Sequence, residues 1–427
     1  MNIAAKHIAE FINGNAFKPE QWSGTGLPII RIAQLTGGPF DNYYEGEISE
    51  KWHVRDGDLL FSWSATLDSV IWDRGEGVLN QHIFKVIPRT GVDKRFLFYS
   101  LKHYANLWAD LDAHGSTMRH IKRESLGNKI YFPNLPTQKA IVDFLDRETA
   151  RIDQLIEKKQ RQVELLEEKL KATISIAVTG RDSAFSTSKT HSGFLPHIPR
   201  TWRLSKLKFA LNRIEQGWSP ECEARLAEDH EWGVLKVGAV NYGRFRDSEH
   251  KALPAALTPR LSLEVQSGDL LMSRANTPEL VGSVAYVTAT RKRLMLSDKL
   301  YRLIVDEQIA AKTFLHFVLN DKYVRTQIQS EASGASQSMQ NLSQAFVKEI
   351  QVALPPLEVQ FDIVRELHNI TSDIAHIRVL TTKSLERLQE LRSSLVTSAV
   401  TGQIDIEAWA KPNMTERRIE ALEEAAV

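Results

Sequence analysis

The feature that most constrains this chain is that it is written twice. The segment FPNLPTQKAIVDFL at 132–145 returns as LPPLEVQFDIVREL at 354–367, with Pro133/Pro355, Leu135/Leu357, Gln138/Gln360, Ile141/Ile363, Val142/Val364 and Leu145/Leu367 all displaced by 222 positions. Ala177-Val178-Thr179-Gly180 returns in the same register as Ala399-Val400-Thr401-Gly402. Upstream, Gly57-Asp58-Leu59-Leu60 recurs as Gly268-Asp269-Leu270-Leu271, and Ile83-Phe84-Lys85-Val86-Ile87 as Leu300-Tyr301-Arg302-Leu303-Ile304. Solenoid repeats run about 20 to 50 residues, so a period of about 220 marks two copies of one domain-plus-helix unit.

The two parts of each unit differ in texture. Residues 1–135 and about 196–357 carry short β-branched and aromatic runs, such as Leu27-Pro28-Ile29-Ile30-Arg31-Ile32 and Gly282-Ser283-Val284-Ala285-Tyr286-Val287, punctuated by Gly, Pro, Asn and Asp. They read as mixed domains of many short strands and few helices, with helices expected at 96–108 and 311–329. Residues 137–178 and 359–400 contain no Gly and no Pro and are rich in Leu, Glu, Lys, Gln and Arg, the composition of long helices.

A heptad frame sharpens this. Val142, Leu145, Thr149, Ile152, Ile156, Lys159, Val163, Leu166, Leu170, Thr173 and Ala177 fall on successive a and d positions. The second copy gives Val364, Leu367, Thr371, Ile374, Arg378, Thr381, Leu385, Leu388, Arg392, Leu395 and Ala399. That spacing keeps one stripe facing a partner helix, and 36 residues from 142 to 177 span ~54 Å. Each helix ends in Val-Thr-Gly, where Gly suits the left-handed position after a helix. The chain must leave the first helix, build a domain and return, which an antiparallel pair satisfies.

Composition bounds the rest. The 427 residues exceed what one core accommodates, and 42% hydrophobic with 25% charged is ordinary globular usage. A single cysteine, Cys222, excludes an intramolecular disulfide and fits a reducing compartment. The N-terminal MNIAAKHIAEF has no leader features, and no apolar run reaches a membrane-spanning length, so a cytoplasmic protein is expected. Lys and Arg number 54 against 53 Asp and Glu, so any nucleic-acid-binding face must be local. Residues 197–357 hold 21 basic and 17 acidic side chains, whereas residues 1–135 balance 15 against 15.

The repeated strings, taken in order, resemble the specificity subunit of type I restriction-modification systems. The resemblance rests on the Pro- and Gln-bearing helix entries (Leu135-Pro136-Thr137-Gln138 and Pro356-Leu357-Glu358-Val359-Gln360), the two Val-Thr-Gly exits, the paired Gly-Asp-Leu-Leu segments, and the run Pro199–Leu207 before the second domain. It covers nearly the whole chain and implies an α+β fold. Two target-recognition domains of mixed short strands and helices would be separated by two long antiparallel coiled-coil helices with pseudo-twofold symmetry. The corresponding division is 1–135, first recognition domain; 136–182, central helix; 183–357, linker and second recognition domain; 358–402, distal helix; and 403–427, a tail. The resemblance further implies that each domain reads one half of a split double-stranded DNA target and that the helices set the gap. The helices would dock two methyltransferase subunits, joined by restriction/translocase subunits that, with the methyltransferases, supply most phosphate neutralisation. The seam residues Val142, Leu145, Ile152, Leu166, Val364, Leu367, Ile374 and Leu388 are the candidates for partner binding. One departure stands out: the second domain is preceded by the Trp202–Leu207 entry, whereas the equivalent of Trp202 in the first copy would fall at or before Met1 and the match begins at Ile8–Gly14, so either the tail from Gln403 to Val427 substitutes as an anchor or the start is placed late.

No catalytic constellation is expected in the chain itself. An adenine methyltransferase needs a glycine-rich loop and an Asn- or Asp-Pro-Pro-aromatic motif. The adjacent prolines Pro355-Pro356 follow Leu354, and Gly24-Thr25-Gly26 lacks the strand and helix of a cofactor loop. No Walker motif and no His-Glu-x-x-His pair occurs, since His230-Glu231 continues Trp232-Gly233-Val234. No cofactor and no metal are expected. The alternatives to DNA reading are a coiled-coil scaffold for proteins without DNA recognition, which does not explain two diverged flanking domains, and a solitary enzyme, which lacks its catalytic groups.

Readout of base edges calls for Arg, Lys, Asn and Gln, with hydroxyls on phosphates. The loops after Gly-Asp-Leu-Leu supply Trp63, Ser64 and Thr66 in the first domain and Arg274, Asn276 and Thr277 in the second. The polar segments 115–120 and 336–341 supply Arg119, His120, Gln340 and Asn341. Arg31 and Lys236 sit on matching strand exits, and Arg291-Lys292-Arg293 reads most simply as a solvated turn.

Overall fold

The computed structural model describes residues 1–112, 120–181, 186–332 and 340–406. It forms two units, Met1–Gln162 with Val379–Val427, and Val163–Arg378.

In the first unit an antiparallel sheet runs β1-β4-β2-β3, from β1 (Ala9–Asn13), β2 (Leu59–Ser62), β3 (Ser69–Ile71) and β4 (Ile83–Pro88). The helix α1 (Lys94–Asp112) buries Leu97, Leu101, Tyr104, Ala105 and Trp108 against Leu59, Phe61, Phe84 and Val86, the one-face spacing of an amphipathic helix. A smaller sheet pairs Leu27–Ile30 in parallel with Gly77–Leu79.

The second unit repeats this topology. Its sheet runs β5-β8-β6-β7, from β5 (Leu211–Gln216), β6 (Leu270–Ser273), β7 (Val284–Tyr286) and β8 (Leu300–Val305). Gly233–Leu235 pairs in parallel with Leu294–Met295, as in the first unit's smaller sheet. The helix expected at 311–329 is instead two, α3 (Lys312–Asn320) and α4 (Lys322–Ala332). Asp321 between them is extended and its Oδ1 accepts the Tyr323 N–H at 3.0 Å. A short acidic side chain that captures a backbone donor ends one helix and caps the next.

The first unit does have its entry strand, contrary to the departure noted above. Asn2–Ala4 pairs antiparallel with Lys129–Tyr131, as Arg203–Lys206 pairs with Gln351–Leu354. Of the tail, Ile404 and Ile406 pack on the first unit's core, and residues 407–427 lie outside the described residues.

The repeated residues hold each domain together. Gly57 and Gly268 take φ of 88° and 91°, a conformation glycine adopts without strain, and turn the chain into β2 and β6. Asp58 then pairs with Lys85 at 2.8 Å, and Asp269 with Arg302 at 3.2 Å. The two cations also donate to the carbonyls of His53 and Glu264, at 2.7 and 2.8 Å.

The long helices extend slightly past the ranges 137–178 and 359–400 read from the sequence, α2 spanning Leu135–Thr179 (45 residues) and α5 Leu357–Val400 (44 residues). Every a and d position named above except Arg378 is buried or half-buried, so the frame is correct. Arg392 pairs with Asp153 at 2.8 Å and Arg378 with Glu167 at 3.8 Å. The order of these pairs along the two helices makes them antiparallel. Gly180 and Gly402, at φ of 63° and 73°, end them as expected.

Gln138 and Gln360 staple the helix starts. Each is fully buried. The Gln138 Oε1 accepts the Asp93 N–H at 2.8 Å while Nε2 donates to the carbonyls of Pro133 (2.9 Å) and Gly91 (3.3 Å). Gln360 does the same with Ala311 N–H (2.9 Å), Pro355 (2.9 Å) and Ile309 (3.1 Å). Removing one partner leaves buried backbone groups unsatisfied, so Gln360→Ala is expected to lower unfolding free energy by about 1–3 kcal/mol. A denaturant midpoint indistinguishable from that of the unaltered protein would refute the staple.

Candidate nucleic-acid interface

In each unit the described end of the second polar segment, His120 or Gln340–Asn341, is brought against the loop after Gly-Asp-Leu-Leu; 115–119 and 336–339 lie outside the described residues. Ser64 and His120 form an antiparallel bridge, and the Ile121 N–H donates to the Trp63 carbonyl at 2.8 Å. In the second unit Ala275–Asn276 pairs with Gln340–Asn341, and the Leu342 N–H donates to the Arg274 carbonyl at 2.9 Å. The Gly-Asp-Leu-Leu exit and the segment before the return strand therefore make one rim, built twice.

A third segment completes the rim and escaped sequence reasoning. The Trp63 N–H donates to the His82 carbonyl at 3.3 Å, and the Arg274 N–H to the Lys299 carbonyl at 2.8 Å. These acceptors lie in the turns Asn80–Ile83 and Ser297–Leu300, each just before a repeated strand. The available signal was their position between matching apolar residues, Leu79/Leu296 and Ile83/Leu300, in a register that otherwise repeats.

The twelve residues chosen for DNA contact divide by exposure. Thr66, Thr277, Asn341 and Arg31 are exposed, and Arg274, His120 and Lys236 are half-buried. Arg31 sits 5.4 Å from the Trp22 ring and lines a cleft of about 370 Å³ with Asp41, Asn42, Gln81 and His82. Lys236 lies 3.9 Å from Glu249, and the Arg274 guanidinium donates to the Asp298 carbonyl at 3.2 Å.

Four others hold the scaffold instead. Ser64, Asn276 and Gln340 are buried, because pairing of the two segments turns those side chains inward. The Asn276 amide donates to Asn241 Oδ1 at 3.1 Å. Trp63 packs on Phe84 and donates from Nε1 to Asn13 Oδ1 at 3.1 Å. Arg119 lies outside the described residues. The run 291–293 is not a plain solvated turn either: Arg291 donates to the carbonyls of Ala227, Glu228 and Glu231, and Arg293 to that of His230.

The seam residues are likewise corrected as docking candidates. Val142, Leu145, Ile152 and Leu388 are buried in the first unit's core, and Val364 and Leu367 in the second's. Leu166 and Ile374 are half-buried. A stripe of heptad spacing is satisfied by the chain's own second helix. The exposed apolar side chains on the helices include Leu165, Ile176, Val359, Phe361, Ile377 and Val379.

Titration in the second unit follows burial and pairing. Burial pushes the Asp269 carboxyl above its usual range, against the pull of the Gln266 N–H and Arg302. The Lys206 and Lys208 ammonium groups hold Glu349 down at about 2. Among the described residues no cluster of three or more His, Cys, Asp or Glu is placed to hold a metal ion, and no helix is long and apolar enough to cross a membrane.

A mixed domain made twice, each copy with a polar rim and a long helix, is the build of a chain that presents two reading surfaces. The family model for the type I restriction modification DNA specificity domain matches residues 2–165 and 262–387, and the chain belongs to that family. The EcoBI type I restriction enzyme specificity subunit of Escherichia coli is 24% identical over 432 residues, covering 97% of this chain and 88% of the relative. The EcoKI specificity subunit of Escherichia coli strain K12 is 23% identical over 438 residues, covering 95% and 89%. Among solved structures, the HsdS subunit from Thermoanaerobacter tengcongensis superposes with a TM-score of 0.53 at 15% identity, over 95% of this chain and 97% of that one. A chain from a structure of type I R-M system assembly and conformational transition gives 0.62 at 18%, over 93% and 98%. These likenesses show the fold, and the family places the chain in a DNA sequence-specificity role within a restriction-modification complex.

Proposed function

We propose that each unit reads one half of a bipartite duplex target and that α2 and α5 set the distance between the halves. The observation that carries this is one rim built twice on a repeated framework, with different side chains at equivalent positions: Trp63 and His120 in one copy, Arg274 and Asn341 in the other. Half-site spacing in two-headed DNA binders follows the geometry of the connecting element. Two methyltransferase subunits dock on the helices through outward residues such as Leu165, Phe361 and Val379, and restriction/translocase subunits complete the assembly. The chain selects and positions, and its partners carry out the chemistry.

Binding of the assembled complex to duplexes of known sequence tests this reading. Arg274→Ala is expected to weaken binding to the cognate duplex by ~1–3 kcal/mol, the range for losing a base contact. It should leave binding to unrelated duplex nearly unchanged. An equal loss on both duplexes would assign Arg274 to phosphate, and no loss on either would remove it from the interface.

A further inference from the structure

The turns Asn80-Gln81-His82-Ile83 and Ser297-Asp298-Lys299-Leu300 share a backbone and differ in side chains. Each is closed by a hydrogen bond from its fourth N–H to its first carbonyl, at 3.2 and 3.1 Å. Each is braced by the chain leaving the edge strand of its sheet. The Asn15 N–H donates to Leu79 at 2.9 Å, and the Trp218 N–H to Leu296 at 3.0 Å. This approach requires glycine just before: a Cβ on Gly14 would lie 2.1 Å from the Asn80 carbonyl oxygen, and one on Gly217 2.0 Å from that of Leu296. The other side of each turn is held by the Trp63 and Arg274 N–H groups described above. A turn fixed from two sides loses little freedom on binding, the condition under which a few side chains discriminate well.

The framework around the turns is repeated with conservative change, Phe84 by Tyr301 and Lys85 by Arg302. The central positions are where the copies part: Gln81 and His82 in the first, Asp298 and Lys299 in the second, all exposed or half-buried. An acidic side chain beside phosphates is repelled, so its place on a rim facing DNA calls for a base donor as partner. Asp298 is also oriented for the purpose, its carboxylate accepting from the Ser219 hydroxyl and its carbonyl from Arg274.

Resting on the reading that each unit serves one half of the target, we propose that these two pairs are base-reading residues, each setting the base pair at one position of its own half. The Gln81 amide, donor and acceptor together, matches the N6 and N7 edge of adenine. The Asp298 carboxylate accepts from the N4 amino group of cytosine, and the Lys299 ammonium donates to O6 and N7 of guanine. The first unit's turn reads an A·T pair, and the second unit's a G·C pair.

The test maps methylated sites across a host genome for the complete complex carrying the unaltered chain or a variant. Gln81→Asp combined with His82→Lys transplants the second unit's pair into the first, and should change one A·T position to G·C in one half, leaving the other half unaltered. Asp298→Asn keeps size and shape, and should lower the preference for cytosine at one position of the other half by about tenfold. An unchanged motif in both variants, a change in both halves from either one, or loss of all methylation by the assembled Asp298→Asn complex overturns the assignment. If the unaltered complex marks no bipartite sequence, the half-site reading itself fails, independently of the turns.

Discussion

Exchanging residues 196–357 for the matching segment of a relative is expected to rewrite one half of the recognised sequence and leave the other half intact. The second unit's sheet, its smaller parallel sheet and α3 and α4 all fall within the exchanged segment. The clusters around Leu235 and Val234 lie wholly inside it, and the largest cluster reaches outside only through Val178, Leu195, Val364, Leu367 and their half-buried neighbours. Those side chains must be matched in the donor, since a poorly filled seam there costs several kcal/mol. Within the first unit, Trp63, Ser64, His82 and His120 are joined by backbone and side-chain contacts among residues 13–121. Methylated-site mapping checks the outcome, and altered bases in both halves, or in neither, would count against modular reading.

The repeat made one part of this molecule legible and hid another. Gln138/Gln360 and Asp58/Asp269 were visible because a position kept identical in two copies stands out even without knowing its role. The glutamines' role as a helix staple emerged from hydrogen bonds between segments 45 to 51 residues apart, and the aspartates' role from ion pairs with Lys85 and Arg302 on a neighbouring strand. The heptad positions were legible because helical periodicity is local, yet the same period does not say whether a stripe faces the chain's own helix or another protein. Val142 and Leu388 turned out to face inward. The rim was half legible. Polar loops after Gly-Asp-Leu-Leu could be found by composition, but the burial of Ser64 and Asn276 follows from pairing with residues 120 and 340, a contact no window of sequence contains. The two turns at 80–83 and 297–300 were overlooked because their outward residues are the ones that do not repeat.

Asp269→Ala is expected to destabilise the protein by about 3 kcal/mol or more, the cost of leaving a buried charge without its partner. Arg302 is only 9% exposed. Without Asp269 its guanidinium keeps the Glu264 carbonyl at 2.8 Å and a longer contact to Glu215 at 3.4 Å, which places the loss at the lower end of the range for broken buried pairs. Burial raises the Asp269 pKa above the ordinary 3.8, so the folded state binds its proton more tightly than the unfolded chain does. That contribution to stability is complete below pH 3.8 and is lost as pH rises through the folded pKa. Relative to Asp269→Asn, which cannot titrate, the unaltered protein should therefore lose stability across that window. The ion pair thus adds little beyond what a well-packed apolar pair would, although breaking it is costly. Asp269→Leu combined with Arg302→Met should then recover more than half of the single variant's loss. Urea unfolding at neutral pH decides: a loss below about 1 kcal/mol for Asp269→Ala would show a solvated pair, and a double variant no better than the single would show that the pair itself contributes net stability.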